Sequence, residues 1–106
     1  MNPCLENLFS LPAPAAGEQF LTLFQNSAVK IVRIVSRSHA SPPGFWYDQD
    51  EDEWVAVLKG RAVLEFADGG ITVMAEGDSL AIPKHVRHRV RETSAEAVWL
   101  AVHAKE

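Results

Sequence analysis

From Phe20 to His103 the chain is cut into short apolar runs by turn-forming residues. Gln25-Asn26-Ser27, Ser41-Pro42-Pro43-Gly44, Asp68-Gly69-Gly70 and Glu76-Gly77-Asp78 each carry turn chemistry,. Asp-Gly-Gly between two apolar runs is a strong hairpin signal. The runs between these breaks read as strands: Phe20–Phe24, Val29–Ser36, Glu53–Lys59, Arg61–Ala67, Ile71–Met74, Ser79–Ile82, Val86–Glu92 and Ala97–His103. Phe45–Gln49 reads as a short extended piece. None of the runs shows the 3.6-residue period of an amphipathic helix. Many short strands at regular spacing predict an all-β sandwich or barrel.

The 106 residues suffice for one domain, 1–106, with its barrel over about 29–103,. Such a domain buries roughly 60–70% of its unfolded surface, so one core can form without staples. Residues 1–19 are rich in Pro and Ala and read as an irregular arm, with a short helical turn near Leu5–Phe9. The single cysteine, Cys4, can build neither a disulfide framework nor a thiolate zinc site,. Glu6, Asn7, Ser10, Pro12 and Pro14 interrupt the only early apolar stretch. It therefore lacks the pattern of a secretory signal, and no segment is long enough to span a membrane. A cytoplasmic protein is the expectation. The net charge of −4 gives no basic footprint for nucleic acid,.

Side chains alternate along a strand, so parity groups residues by face. Phe45, Tyr47 and Gln49 share one face, and Glu53, Val55 and Val57 share another. Val86, His88 and Val90 alternate with Arg87, Arg89 and Arg91. Three arginines cannot all enter a small barrel unpaired, because burying unpaired charge is costly. The arginines therefore face water or a partner, and His88 faces inward. An inward Glu53 needs a metal, a hydrogen-bond partner or a proton. Beside a histidine, such a glutamate forms either an acid–base pair or part of a metal site.

Tyr47, Gln49, Glu53 and Gly60 follow the spacing of a known pattern, and so do Gly77, Pro83 and His88. The two sets resemble the first and second motifs of the cupin superfamily, over about residues 29–103. Tyr47 and Gln49 stand where that family has two histidines; Glu53 and His88 match its glutamate and its second-motif histidine. The resemblance implies a jelly-roll barrel of two antiparallel sheets. It also implies a divalent ion (Fe, Mn, Ni or Zn) held at Glu53 and His88, aided by Gln49 or Tyr47. A small-molecule ligand and a homodimer are implied as well. Loss of two imidazoles lowers affinity for borderline-soft metals.

Phe45, Val55, Val57 and Val90 are expected to line the pocket. Exposed strand edges and Phe20–Phe24 would suit edge pairing or strand swapping between two copies. His39 and His85 read as loop or rim residues, and His103 as a residue near the C-terminus. The acidic run Asp48, Asp50, Glu51 and Asp52 lacks the glycine and ligand spacing of a calcium loop,. Three functions fit these residues. One is a small-molecule-binding barrel with a metal at Glu53 and His88. A second is a metal-free ligand-binding or sensor barrel without catalysis. The third is a metal-dependent oxygenase or isomerase. The fold does not choose among them.

Overall fold

The computed structural model describes residues 3–105. Positions 1 and 2, at the start of the expected arm, and position 106 lie outside the described residues. Eight strands follow in chain order: β1 (Glu18–Gln25), β2 (Val29–Ser36), β3 (Asp52–Lys59), β4 (Ala62–Phe66), β5 (Ile71–Met74), β6 (Ser79–Ile82), β7 (His88–Thr93) and β8 (Ala97–Ala104). They form a five-stranded sheet, β1-β2-β8-β3-β6, and a three-stranded sheet, β5-β4-β7. Every pairing is antiparallel. The all-β architecture expected from the turn spacing is the one observed. Among the described residues no helix is long and apolar enough to cross a membrane.

Cross-strand partners share a face, so the register writes out the inner surface row by row. In the large sheet, Phe20, Ile34, Trp99 and Val57 form one row. Thr22, Val32, Ala101 and Val55 form the next. Lys30, His103, Glu53 and Ile82 form the polar row beyond it. Val32, Ile34, Val55, Val57, Trp99 and Ala101 meet Leu64, Met74 and Val90 of the small sheet in one core. Each such aliphatic side chain contributes roughly 1.5–3 kcal/mol by leaving water.

Local chemistry closes the turns. At Asp68-Gly69-Gly70, Gly69 takes φ 99° and the Asp68 carboxylate accepts from Gly70 N at 2.9 Å. Gly60 has φ 82°, and a Cβ there would lie 2.4 Å from the Glu96 carbonyl oxygen. Only glycine fits that crossing.

Three local expectations are corrected. Leu5–Phe9 holds no helical turn; Asn7 instead builds a tight turn, accepting from Phe9 N through its side chain and from Ser10 N through its carbonyl. This self-bonding is what makes asparagine favour turns over helices. The first strand starts at Glu18, inside the expected arm, because β1 finds a full antiparallel partner in β2. The strand expected from Val86 begins at His88. Val86 belongs to the turn that follows Pro83, and its side chain is exposed.

The arm packs through backbone oxygens. Arg33 donates to the Ser10 carbonyl at 2.8 Å, and Arg37 to the Pro12 carbonyl at 3.3 Å. Of the alternating arginines, Arg87 and Arg91 are exposed as parity expects, whereas Arg89 is half-buried. Arg87 and Arg89 stack beside the Trp46 ring, with guanidinium carbons 5.6 and 6.0 Å from its centre. Arg89 is further held by Glu65 at 3.0 Å and the Ser41 carbonyl at 2.6 Å.

Candidate functional site

Between the two sheets lies a cavity of about 330 Å³. Its walls are mainly apolar: Phe20, Val32, Ile34, Val55, Leu64, Ile82, Val90 and Trp99. Its polar groups are Glu18, Lys30, Tyr47, Gln49, Glu51, Glu53, His88 and His103, with Thr22. A concave pocket that combines apolar walls with convergent polar groups is the usual form of a small-molecule site.

Glu53 comes from β3 of the large sheet and His88 from β7 of the small one. Oε1 of Glu53 lies 3.4 Å from Nε2 of His88, and both side chains are about nine-tenths buried. His88 is oriented from behind: its Nδ1–H donates to the Val86 carbonyl at 2.8 Å. Nε2 therefore faces the carboxylate. Burial of the imidazole works to lower its pKa. The hydrogen bond to Glu53, then the Val86 carbonyl and the Glu53 charge, outweigh burial, and the pKa lies above the usual 6.5,. The result is a buried glutamate–histidine pair in which the carboxylate strengthens the imidazole's hold on its proton.

The expected pocket residues divide. Tyr47, Gln49, Val55 and Val90 line the cavity with Glu53 and His88. Phe45 and Val57 do not. Phe45 is 42% exposed and packs edge-on against Tyr47, with ring centres 4.8 Å apart. Val57 is core, opposite Trp99. Tyr47 is tied to His88 by a two-way backbone bridge, Tyr47 N to His88 O at 2.7 Å and His88 N to Tyr47 O at 3.1 Å. Their rings stack at 5.5 Å. His85 lies on the rim, bonded to Asp48 at 2.9 Å and mostly exposed.

Among the lining residues that the sequence did not assign to the site, His103 and Glu18 bear most directly on the pair. His103 is the cross-strand partner of Glu53, and its Nε2 lies 3.8 Å from Glu53 Oε2. Its Nδ1 is buried and has no hydrogen-bond partner. Parity could have placed His103 on the Trp99 face, but only the register sets it opposite Glu53. Glu18 on β1 accepts from Ser36 Oγ at 2.9 Å and lies 3.4 Å from the Tyr47 hydroxyl. His39 Nε2 lies 3.5 Å from the same Glu18 oxygen. Trp99 Nε1 donates to Ser36 Oγ at 3.0 Å, which extends this network into the core.

A divalent ion, as cupins often hold, fits this donor set poorly. Glu53 and His88 are suitable ligands. The Tyr47 phenol is turned to Glu18, and burial, then the Glu18 carboxylate, push its pKa up to about 12. A phenol binds metal firmly only when ionised. Gln49 offers a neutral amide, a weak ligand. His88 and His103 face different oxygens of Glu53. Glu53, His88 and His103 gather at one carboxylate, but among the described residues no group of three His, Cys, Asp or Glu is arranged to hold an ion.

The chain is similar over 98% of its length to the whole of a putative mannose-6-phosphate isomerase from Ralstonia eutropha JMP134, with 46% identity and a TM-score of 0.91. A cupin superfamily protein from Desulfitobacterium hafniense DCB-2 shares the fold at 18% identity and a TM-score of 0.81, covering 100% of this chain and 94% of that one. A sugar phosphate isomerase of the cupin superfamily from Silicibacter pomeroyi DSS-3 aligns at 26% identity and a TM-score of 0.67, over 85% of this chain and 60% of that one. No curated protein matches. The cupin domain pattern itself covers residues 37–103, and the chain belongs to the cupin family.

Proposed function

We propose that this cupin binds a small polar molecule in the barrel and that Glu53 and His88 act on it as an acid–base pair. The observation that carries the reading is the 3.4 Å approach of Glu53 Oε1 to His88 Nε2 inside an apolar cavity. A carboxylate there can take a proton from a carbon next to a carbonyl. The imidazolium can donate to the oxygen on which charge develops. Isomerisation of a hydroxy-carbonyl compound needs both acts. The 46%-identical Ralstonia eutropha relative, described as a putative mannose-6-phosphate isomerase, supports that reaction class. Lys30, His88 and His103 stand among Glu18, Glu51 and Glu53 in the lining, so the cavity offers a ligand both hydrogen-bond donors and carboxylates.

The metal-dependent reading, with Glu53 and His88 as ligands, draws support from the family and from the oriented His88 ring, whose Nδ1–H donation to a carbonyl is common in metal sites,. The engaged Tyr47 phenol weighs against it. A homodimer is proposed on the exposed outer edge of β1, where Phe20, Leu21 and Phe24 lie open,.

The test is ligand-observed NMR on chelator-treated protein with a panel of small hydroxy-carbonyl compounds that includes mannose 6-phosphate. The reading expects a panel member to bind without metal, and Glu53→Gln and His88→Asn each to weaken that binding. Binding that appears only after a divalent metal is restored would establish the metal-dependent reading in its place.

A further inference from the structure

We infer that Glu18 is a positioning residue for the site: through the Tyr47 hydroxyl it holds the phenol ring stacked on His88. The inference rests on reading Glu53 and His88 as the working pair. It adds a residue upstream of residues 37–103, the stretch that the family pattern covers.

The geometry runs from strand to ring. β1 is the outermost strand of the large sheet, and its register with β2 brings Glu18 opposite Ser36. The Ser36 hydroxyl donates to Glu18 Oε2 at 2.9 Å, and Ser36 in turn accepts from Trp99 Nε1 at 3.0 Å. One carboxylate oxygen is thereby anchored to the core. The other, Oε1, is left for Tyr47 at 3.4 Å and for His39 at 3.5 Å. The Glu18 side chain is only 6% exposed, so water competes little for these groups.

Tyr47 needs this hold. Its backbone bridges to His88, and the flanking Phe45 and Gln49, outside any strand, are each held by one backbone bond, to Pro42 and His85, which leaves the ring's own setting to its side-chain contacts. A ring on such a segment is fixed by its side-chain contacts. On one side Phe45 meets it edge-on at 4.8 Å, and on the other His88 stacks on it at 5.5 Å. The hydroxyl bond to Glu18 supplies the remaining restraint, along the long axis of the ring. With the ring held there, one face of His88 is shielded and the imidazole keeps its aim at Glu53. The same bond occupies the group that would otherwise be available as a ligand at position 47.

The test reads ring geometry, not turnover. Cross-peaks between Tyr47 ring protons and His88 ring protons are recorded by nuclear Overhauser spectroscopy in the full-length protein. The wild type shows them. Glu18→Ala loses them, and so does Tyr47→Phe, which removes only the hydroxyl. Glu18→Gln keeps them, because its amide oxygen can still accept from the phenol. Leu21→Ala, on the opposite face of β1, also keeps them and controls for loosening of the strand. Persistence of the cross-peaks in Glu18→Ala or Tyr47→Phe overturns the inference, as does their loss in Leu21→Ala. Failure of the protein to bind any small molecule would count against the proposed function and leave this readout unaffected.

Discussion

Oε1 of Glu53 stands 3.4 Å from Nε2 of His88, and the two residues belong to different sheets. The pair is thus both a chemical unit and a clasp across the barrel. Its attraction acts in an apolar surround, where water screens it little. The same burial makes each partner costly to leave alone.

That cost gives the first prediction. Glu53→Ala and His88→Ala should each destabilise the fold, and the double variant should cost less than the sum. A coupling of roughly 1–3 kcal/mol is expected for contacting groups of this kind. The sign with pH follows from the raised His88 pKa. The folded protein holds that proton more tightly than the unfolded chain does. The pair's contribution is therefore full below about pH 6.5, the unfolded value, and is lost as pH rises through the folded midpoint. Urea unfolding of wild type and Glu53→Gln across this range measures it: their difference should shrink as the pH climbs.

Tyr47 is the only tyrosine in the chain, so alkaline ultraviolet titration reports it alone. Its ionisation should come near pH 12 in the wild type, pushed up by burial and then by Glu18. Glu18→Gln should bring the midpoint down toward the ordinary value of about 10. An unshifted wild-type titration would show the phenol facing open water.

Ser36 accepts from Trp99 Nε1 and donates to Glu18 with no exposure of its own. Ser36→Ala strands the buried indole N–H and should cost about 1–3 kcal/mol in denaturant unfolding. Ser36→Thr keeps both bonds in chemistry and should cost less if its methyl is accommodated.

Gly60→Ala and Gly44→Ala separate backbone strain from collision. Both positions have positive φ, near 82° and 81°. Gly44 has open space around it, so alanine there pays only the left-handed penalty of ~1–2 kcal/mol,. At Gly60 the new methyl also meets the Glu96 carbonyl, so the loss should be clearly larger. Thermal unfolding of the two variants tests the ranking.

Much of this was legible in the sequence because the turn residues and the alternation are local. Asp68-Gly69-Gly70 marks its hairpin by its own chemistry. The Arg87, Arg89 and Arg91 alternation places His88 inward without reference to any other strand. Register is not local, and the misses follow from that. His103 meets Glu53 because β8 pairs with β3 in one particular alignment. Glu18 belongs to the site only because β1 pairs with β2 and reaches the Tyr47 segment. Parity likewise groups Val57 with Glu53, but it says nothing of depth, and Val57 lies in the core opposite Trp99.

The central claim is that Glu53 and His88 are paired in the cavity and that the carboxylate raises the imidazole's pKa. The most direct measurement is a pH titration of the His88 imidazole by nitrogen-15 NMR in wild type and Glu53→Gln. The account predicts a wild-type midpoint above 6.5 that falls in the variant. A His88 midpoint that is at or below 6.5 in the wild type, or that is unmoved by Glu53→Gln, would contradict it,.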